Sequence, residues 1–422
     1  METQPGSLHS IVEKYLPVLG PFEDRYRDIH QHPELGRLEK RTSEIAAYHL
    51  RQFGYNTLTN IGGYGVVGIL ENGVGPTVLL RADMDALPIR EQTGLHYAST
   101  VEAIDTDGER KPVMHACGHD MHTTSLMGAS TLLANAKGKW KGTLICLFQP
   151  DEEHGTGAQA MINDDLYGKI PKPNIVLGQH LTNSKTGVVL IRPGSCMASA
   201  DTFKVTVFGR GAHAAQPQDS IDPILLAASI IVRLQSVVAR EIGPEDVASV
   251  SCATIHGGKA HNVIPYEVEL TLNIRTFDPA VREKVIEAVK RIIKGEAITS
   301  GAEKEPKIEL LGSFPPTINS TPESLKLRQS FISFFGEERT WEAGRHTASE
   351  DFTNLATAIG VPSIFWNFGG VDEEKWKKFE AEKDPKIISG SHQEDYAPVV
   401  QPTLRTAIEA LSVAALTFLK VD

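Results

Sequence analysis

Cysteine is scarce in this chain: Cys117, Cys146, Cys196 and Cys252 are the four among 422 residues. They show no paired spacing, which excludes a disulfide framework as the organising device of so large a chain. Long apolar runs are missing as well, and no stretch is expected to reach the roughly 18 residues that a membrane span needs. Positive charge is in deficit, with 42 Lys and Arg against 53 Asp and Glu and a net charge of −11. The excess is spread along the chain, so there is no electrostatic footprint for nucleic acid or an anionic membrane. The basic stretches Lys137 to Lys141 and Lys375 to Lys378 are short, contain apolar residues, and read as solvated faces. Residues 1–6 have neither a basic n-region nor an apolar h-region, so no signal peptide is expected and a reducing cytoplasm fits best.

What is present begins with size. A chain of 422 residues exceeds what one core usually supports, so two domains are the default. Helical spacing over 8–32 and 42–53 precedes strand patterns at 65–70 and 77–81. A helix over 121–136 is followed by strands over 143–148 and 174–179. This alternation predicts α/β layers around a mostly parallel central sheet, with polar residues in the loops at strand ends. The middle reads differently. Strand 202–208, helix 221–240, strands 248–256 and 268–277, helix 279–294 and strand 307–311 follow the β-α-β-β-α-β order of a ferredoxin-like module. Pro315-Pro316 marks its exit. Helices over 322–335 and 349–359, strand 363–366 and a closing helix from about 403 to 419 complete the chain. The expected organisation is a catalytic domain in two segments, 1–198 and 316–422, interrupted by an inserted lid over 199–315.

Chemistry concentrates in two places. Met114-His115-Ala116-Cys117-Gly118-His119-Asp120-Met121-His122 gathers a thiol, three imidazoles and a carboxylate, and Gln149-Pro150-Asp151-Glu152-Glu153-His154 adds acids and a further imidazole. Soft and hard donors this close together suggest a transition-metal site. In extended chain Cys117 and His119 project from one face, whereas the neighbours Glu152 and Glu153 point to opposite faces and can divide metal binding from proton transfer. The alternative is a helix N-terminus with Asp120 as its cap and the imidazoles merely hydrogen-bonded. Asp83 and Asp85 leave the strand of Arg81-Ala82-Asp83-Met84-Asp85-Ala86-Leu87-Pro88, where Asp85 would orient a metal-binding imidazole or simply face water. His180 follows a strand and His392 lies in a loop before the last helix; each alone reads equally as a surface or core histidine.

Together these motifs resemble, over nearly the full length, the dinuclear metallo-amidohydrolase family that includes carboxypeptidase G, aminoacylase, hippurate hydrolase and the plant auxin-conjugate hydrolases. The likeness to the hippurate and auxin-conjugate branch rests on 81–88, His-Ala-Cys-Gly-His-Asp (115–120), Gln-Pro-Asp-Glu-Glu (149–153) and Gly-Gln-His (178–180). It rests also on Met-Ala-Ser-Ala-Asp (197–201), Gly-Arg-Gly-Ala-His-Ala-Ala (209–215), Asn-Val-Ile-Pro (262–265) and Ser-Glu-Asp-Phe (349–352). The resemblance implies two divalent metal ions, zinc or manganese, held by Cys117, His119, Glu153, His180 and His392. It implies Glu152 as general base with Asp85 as its supporting acid, and His213 as an oxyanion partner. Asn262 and Arg275 would hold a substrate carboxylate, and the lid would carry a homodimer contact. The implied activity is hydrolysis of N-acyl amino acids or small peptide-like amides. A same-fold enzyme that forms or processes an amide in a specialised pathway, and a non-catalytic metal-binding protein, are the alternatives; Glu152 speaks against the second.

Three sites depart from the family pattern. His154 stands where a small residue is usual, and would narrow the pocket, add a hydrogen bond or alter metal choice. Gln179 replaces an apolar residue, and Gln393-Glu394 replaces Ser-Pro after His392. They bear on substrate identity.

Overall fold

The computed structural model describes residues 8–421; the N-terminal residues read for a signal lie outside them. Two helices open the chain, α1 (Leu8–Tyr15) and α2 (Gly20–Gln31), followed by α3 (Lys40–Gln52). The helical spacing across 8–32 is therefore broken. Pro17 has no N–H to donate and biases Leu16 away from helical backbone, so the first helix stops at Tyr15.

Strands β1 (Asn56–Ile61), β2 (Gly65–Asn72) and β3 (Thr77–Asp83) follow, then α4 (His119–Asn135), β4 (Trp140–Gln149), β5 (Ile175–Lys185) and β6 (Val189–Ile191). Next come β7 (Ser199–Phe208), α5 (Pro223–Ser236), β8 (Ala248–Gly257), β9 (Glu267–Thr276), α6 (Pro279–Thr299) and β10 (Lys307–Phe314). The chain closes with α7 (Thr321–Phe335), β11 (Thr340–Glu342), β12 (Ser363–Val371) and α8 (Thr403–Phe418). The helix expected over 349–359 is confined to Thr353–Thr357. Asp351 is instead drawn into a buried polar network, where it accepts from Gln149 Nε2 at 2.7 Å and from the Ala158 N–H at 2.9 Å.

The chain divides into two compact units. The larger comprises the chain up to Gly194, Ile318–Gly344 and the chain from Asp351. Its sheet runs β1-β2-β4-β3-β5-β12-β6-β11. The centre is parallel, β4 with β3, β3 with β5 and β5 with β12, while β1, β2 and β6 add antiparallel pairings. The sheet is thus mixed, parallel where it bears the polar loops. Helix α4 packs against β3, α2 and α8, and α3 covers β1 and β2. Phe148 and Phe368 are inaccessible in this core, each stabilising it by about 1.5–3 kcal/mol.

The smaller unit comprises Ser195–Thr317 and Arg345–Glu350. It is an antiparallel sheet in the order β8-β9-β7-β10 with α5 and α6 on it, the ferredoxin-like arrangement. A separate two-rung ladder pairs Ala212 with Ile264 and His213 with Val263. The expectation that no segment reaches membrane-span length needs correction: Pro223–Glu241 is long and apolar enough by length and composition alone. Its apolar character has a packing cause, since Leu226, Ala227, Ile230, Leu234 and Val237 are buried in the core of this unit.

Candidate metal centre

Four segments of the larger unit converge on one cluster. Gly118, at the N-cap of α4, has φ +84, and a Cβ there would lie 2.8 Å from Leu181 Cδ2. Glycine fits the left-handed turn and the close approach, and the turn presents Cys117 and His119 on either side of it. Every residue from His119 to Leu133 is buried, so α4 is a rigid platform. The turn after β4 carries Glu152 and Glu153, and β5 carries His180. His392, at φ +67, is tied by its N–H to Ala116 O at 2.8 Å.

The donor atoms face one another. Cys117 Sγ lies 3.5 Å from His180 Nε2, and His392 Nε2 lies 3.4 Å from Glu153 Oε1. His119 Nε2 is 3.9 Å from Glu153 Oε1 and 4.0 Å from Glu152 Oε2. Two triads, Cys117–His119–His180 and Cys117–Glu153–His392, each bring their donor atoms within 4.8 Å of one another and share the thiol. His119 Nε2 and Glu153 Oε1 are buried without a hydrogen-bond partner among the described residues. Buried polar atoms left in that state ask for a partner, and a sulfur, nitrogen and oxygen donor set suits a divalent transition metal. The residues fit such ions.

The far side of each ring supports the same reading. His180 Nδ1 meets Leu181 O at 2.5 Å and His119 Nδ1 meets Asp85 Oδ1 at 3.2 Å, which leaves Nε2 of both rings facing the cluster. Burial, then His122, holds His180 well below the usual imidazole range, in the neutral form that ligates metal. Burial opposes protonation of His119, but Asp83, Asp85 and Cys117 outweigh it and raise that ring well above its ordinary value. Cys117 and Glu153 raise His392 to about 10. His119 and His392 therefore favour protonation, and a cation binding there would displace those protons.

A shell of buried polar groups surrounds this centre, in which Arg81, Gln149 and Asp351 had no role in the sequence reading. Arg81 donates to Asp83 Oδ2 at 2.6 Å and to Gln149 Oε1 at 2.9 Å, and reaches Asp351 Oδ1 at 3.5 Å. His122 meets Asp83 Oδ1 at 2.6 Å through Nδ1 and accepts the Leu181 N–H at 2.8 Å through Nε2, so both its nitrogens are engaged. Asp120 stands in the first turn of α4, not at its N-cap: its Oδ1 accepts the Met121 N–H at 2.8 Å and its Oδ2 lies 2.7 Å from His30 Nδ1. His115 is buried with neither ring nitrogen hydrogen-bonded among the described residues, and burial pushes it down to about 4. Asp85 orients His119 and also accepts the Glu153 N–H at 3.0 Å through Oδ2.

The three departures each have a contact. His154 Nδ1 lies 2.6 Å from Asp151 Oδ1, so its ring is engaged by a neighbouring carboxylate. Gln179 donates to Ala407 O at 3.1 Å, linking β5 to α8. Gln393 Oε1 accepts the Gly390 N–H at 2.7 Å, and Glu394 accepts from Gln92 through both its carboxylate (2.6 Å) and its carbonyl (2.7 Å). These bonds anchor the loop that carries His392.

The remaining candidates belong to the smaller unit. His213 is exposed on the two-rung ladder, its Nδ1 accepting the Ala215 N–H at 3.0 Å, and Asn262 is beside it, its carbonyl accepting the Ala214 N–H at 2.9 Å. Arg275, half-buried on β9, donates to Asn273 Oδ1 at 3.1 Å and to Ser349 Oγ.

Residues 79–388 match the model of peptidase family M20/M25/M40. The chain belongs to this family. Hippurate hydrolase of Campylobacter jejuni is 36% identical over 81% of this M20 chain and 87% of its own length. IAA-amino acid hydrolase ILR1-like 5 of Arabidopsis thaliana is 35% identical over 79% and 74%. A Bacillus subtilis protein solved as a dinuclear metal-binding peptidase of the M20 family is similar with a TM-score of 0.75, at 26% identity, covering 96% of this chain and 99% of that one. The chain is accordingly an M20 hydrolase of the amidohydrolase type, with residue groups suited to metal.

Proposed function

We propose that this M20 hydrolase cleaves the amide bond of N-acyl amino acids or small peptide-like substrates, with Glu152 as general base. The observation that carries the reading is the pair of donor triads sharing Cys117, with His119 Nε2 and Glu153 Oε1 buried and without a hydrogen-bond partner among the described residues, and the Glu152 carboxylate beside them. Cys117, His119, Glu153, His180 and His392 would hold two divalent ions, zinc or manganese. When bound, such ions polarise a carbonyl and lower the pKa of water. Glu152, 5% exposed, takes the proton of the attacking water and passes it to the departing amine. Asp85 fixes the His119 tautomer and the backbone at Glu153. On the smaller unit, His213 opposes the charge that develops on the carbonyl oxygen. Arg275 and Asn262 hold the substrate carboxylate, for which a guanidinium fork is geometrically suited.

The relatives named for hippurate and for IAA-amino acids support an N-acyl amino acid as substrate. The smaller unit serves as lid and homodimer contact in this reading. Among the described residues its edge strand β8 pairs on one side alone, and α5 exposes Leu225 and Val232. Four free cysteines support a cytoplasmic location.

The test is hydrolysis of a panel of acetyl-, benzoyl- and indoleacetyl-amino acids by zinc- or manganese-loaded protein, beside chelated protein and Glu152→Gln. The expected result is metal-dependent release of the amino acid, lowered roughly 10²- to 10⁴-fold in Glu152→Gln at unchanged metal content. No release from any member by protein holding two metals would sink the reading.

A further inference from the structure

The turn that carries Glu152 and Glu153 is gripped from a segment more than a hundred residues earlier. Glu39 occupies the N-cap position of α3 but makes no side-chain cap there. Glu34 does that work, its Oε1 accepting the Arg41 N–H and its Oε2 the Thr42 N–H, both at 2.8 Å. The Glu39 side chain is inaccessible, and its Oε1 accepts the Asp151 N–H at 2.7 Å and the Arg37 N–H at 3.0 Å. On the other side of Glu152, Asp85 accepts the Glu153 N–H at 3.0 Å. Two buried carboxyls thus take the peptide N–H groups that flank the proposed base.

The backbone between them needs holding. Asp151 has φ +53, a conformation that costs a non-glycine residue about 1–2 kcal/mol. Its side chain is bound by Arg37 Nε at 2.9 Å, His154 Nδ1 at 2.6 Å and the Thr156 hydroxyl. A Cβ on Gly36 would lie 2.5 Å from Asp151 Oδ1 and 2.9 Å from His154 Nδ1, so the two segments touch backbone to side chain.

We propose that Glu39, with Gly36 and Arg37, is a positioning residue that clamps the Pro150–His154 turn, so that Glu152 and Glu153 reach their separate places. The inference rests on the amidohydrolase reading above. Burial, reinforced by Asp85, pushes the Glu39 carboxyl up to about 8, so at neutral pH it acts as a neutral acceptor. A carboxamide should therefore replace it, and an alanine should not.

The experiment compares Glu39→Ala and Glu39→Gln with wild type in three readouts: melting temperature, zinc retention against a competing chelator, and kcat and KM on the best substrate of the panel. In Glu39→Ala we expect kcat to fall by about ten-fold to 10²-fold at a KM within about threefold, with zinc lost at lower chelator. Glu39→Gln should recover most of both. Wild-type kcat and zinc retention in folded Glu39→Ala would overturn the proposal, and so would Glu39→Gln as damaged as Glu39→Ala. If Glu39→Ala fails to fold, Arg37→Ala replaces it, because Arg37 is half-exposed and its left-handed backbone costs alanine no more than arginine. A several-fold fall in its kcat at unchanged KM supports the clamp, and wild-type values overturn it. Should wild type hydrolyse nothing on the panel, the amidohydrolase reading fails by itself. Zinc retention then decides the clamp, which falls if Glu39→Ala retains zinc as wild type does.

Discussion

Arg81→Met tests whether the buried shell is held by charge. The guanidinium is inaccessible and serves Asp83, Gln149 and Asp351 at once. Methionine of similar length fills most of the volume but leaves two buried carboxylates with one cation fewer. Breaking a buried pair in this way costs about 3–5 kcal/mol. At roughly 2 °C per kcal/mol for a unit of this size, the melting temperature of chelated protein should fall by about 6–10 °C. The pH dependence carries its own sign. Burial opposes ionisation of Asp83, but His119, Arg81 and His122 outweigh it and hold the carboxyl well below its usual range. A depressed carboxyl contributes stability above its unfolded value, near 3.9, and loses it as pH falls through the folded value. The variant lacks part of that contribution, so its deficit should be full from pH 7 down to about 4 and shrink only as pH falls below that, towards the folded value of Asp83. Adding Asp351→Asn to Arg81→Met should recover part of the loss, because it removes one buried negative charge that Arg81 no longer offsets. A fall below about 2 °C, a deficit independent of pH, or additive losses in the double variant would each refute the charge argument.

Gly118→Ala places a Cβ at a left-handed φ and against Leu181, between Cys117 and His119. It should lose at least about 1–2 kcal/mol and release zinc at lower chelator, measured by melting and metal competition; wild-type behaviour in both would show that the turn relaxes freely. His30 lies between Asp120 (2.7 Å) and Glu91 (3.1 Å), which outweigh burial and raise it to about 9. A raised histidine contributes stability that is full below about 6.5 and lost as pH rises through 9. On the order of 3 kcal/mol should therefore disappear over that range, and His30→Gln should flatten the melting profile between pH 7 and 9.5. An equal slope in the variant would assign the loss to another group.

What was legible in the sequence was whatever depends on neighbours in the chain. The alternation of periods gave the layered sheet, and the β-α-β-β-α-β order of the smaller unit follows from strand and helix patterns a few residues long. The candidate ligands were legible because Cys117 and His119, or Glu152 and Glu153, stand close enough to be weighed together. The shell was not legible, because its partners are remote: Arg81 and Asp351 are 270 positions apart, and Glu39 and Asp151 are 112 apart. Glu39 sits in a charged stretch, Glu39-Lys40-Arg41, that reads as a solvated helix start, and nothing local distinguishes it from a surface acid. Its burial is set by Glu34, which takes over the capping of α3 and frees the side chain to reach the turn.

The same distinction explains the departures. His154 stands next to Glu153 in sequence, and proximity along the chain suggested a ring in the pocket. The direction of a side chain is decided by backbone conformation, and here Asp151 at φ +53 starts a turn in which the His154 N–δ1 edge meets the Asp151 carboxylate. Gln393 and Glu394 likewise read as changes beside a ligand, yet they bond to Gly390 and Gln92 and so set the loop on which His392 is held. Changes adjacent to the candidate ligands therefore bond here to the backbone and side chains of the loops that carry those candidates. Specificity has to be sought in the walls that meet the acyl group and the amino acid, which the substrate panel reports directly.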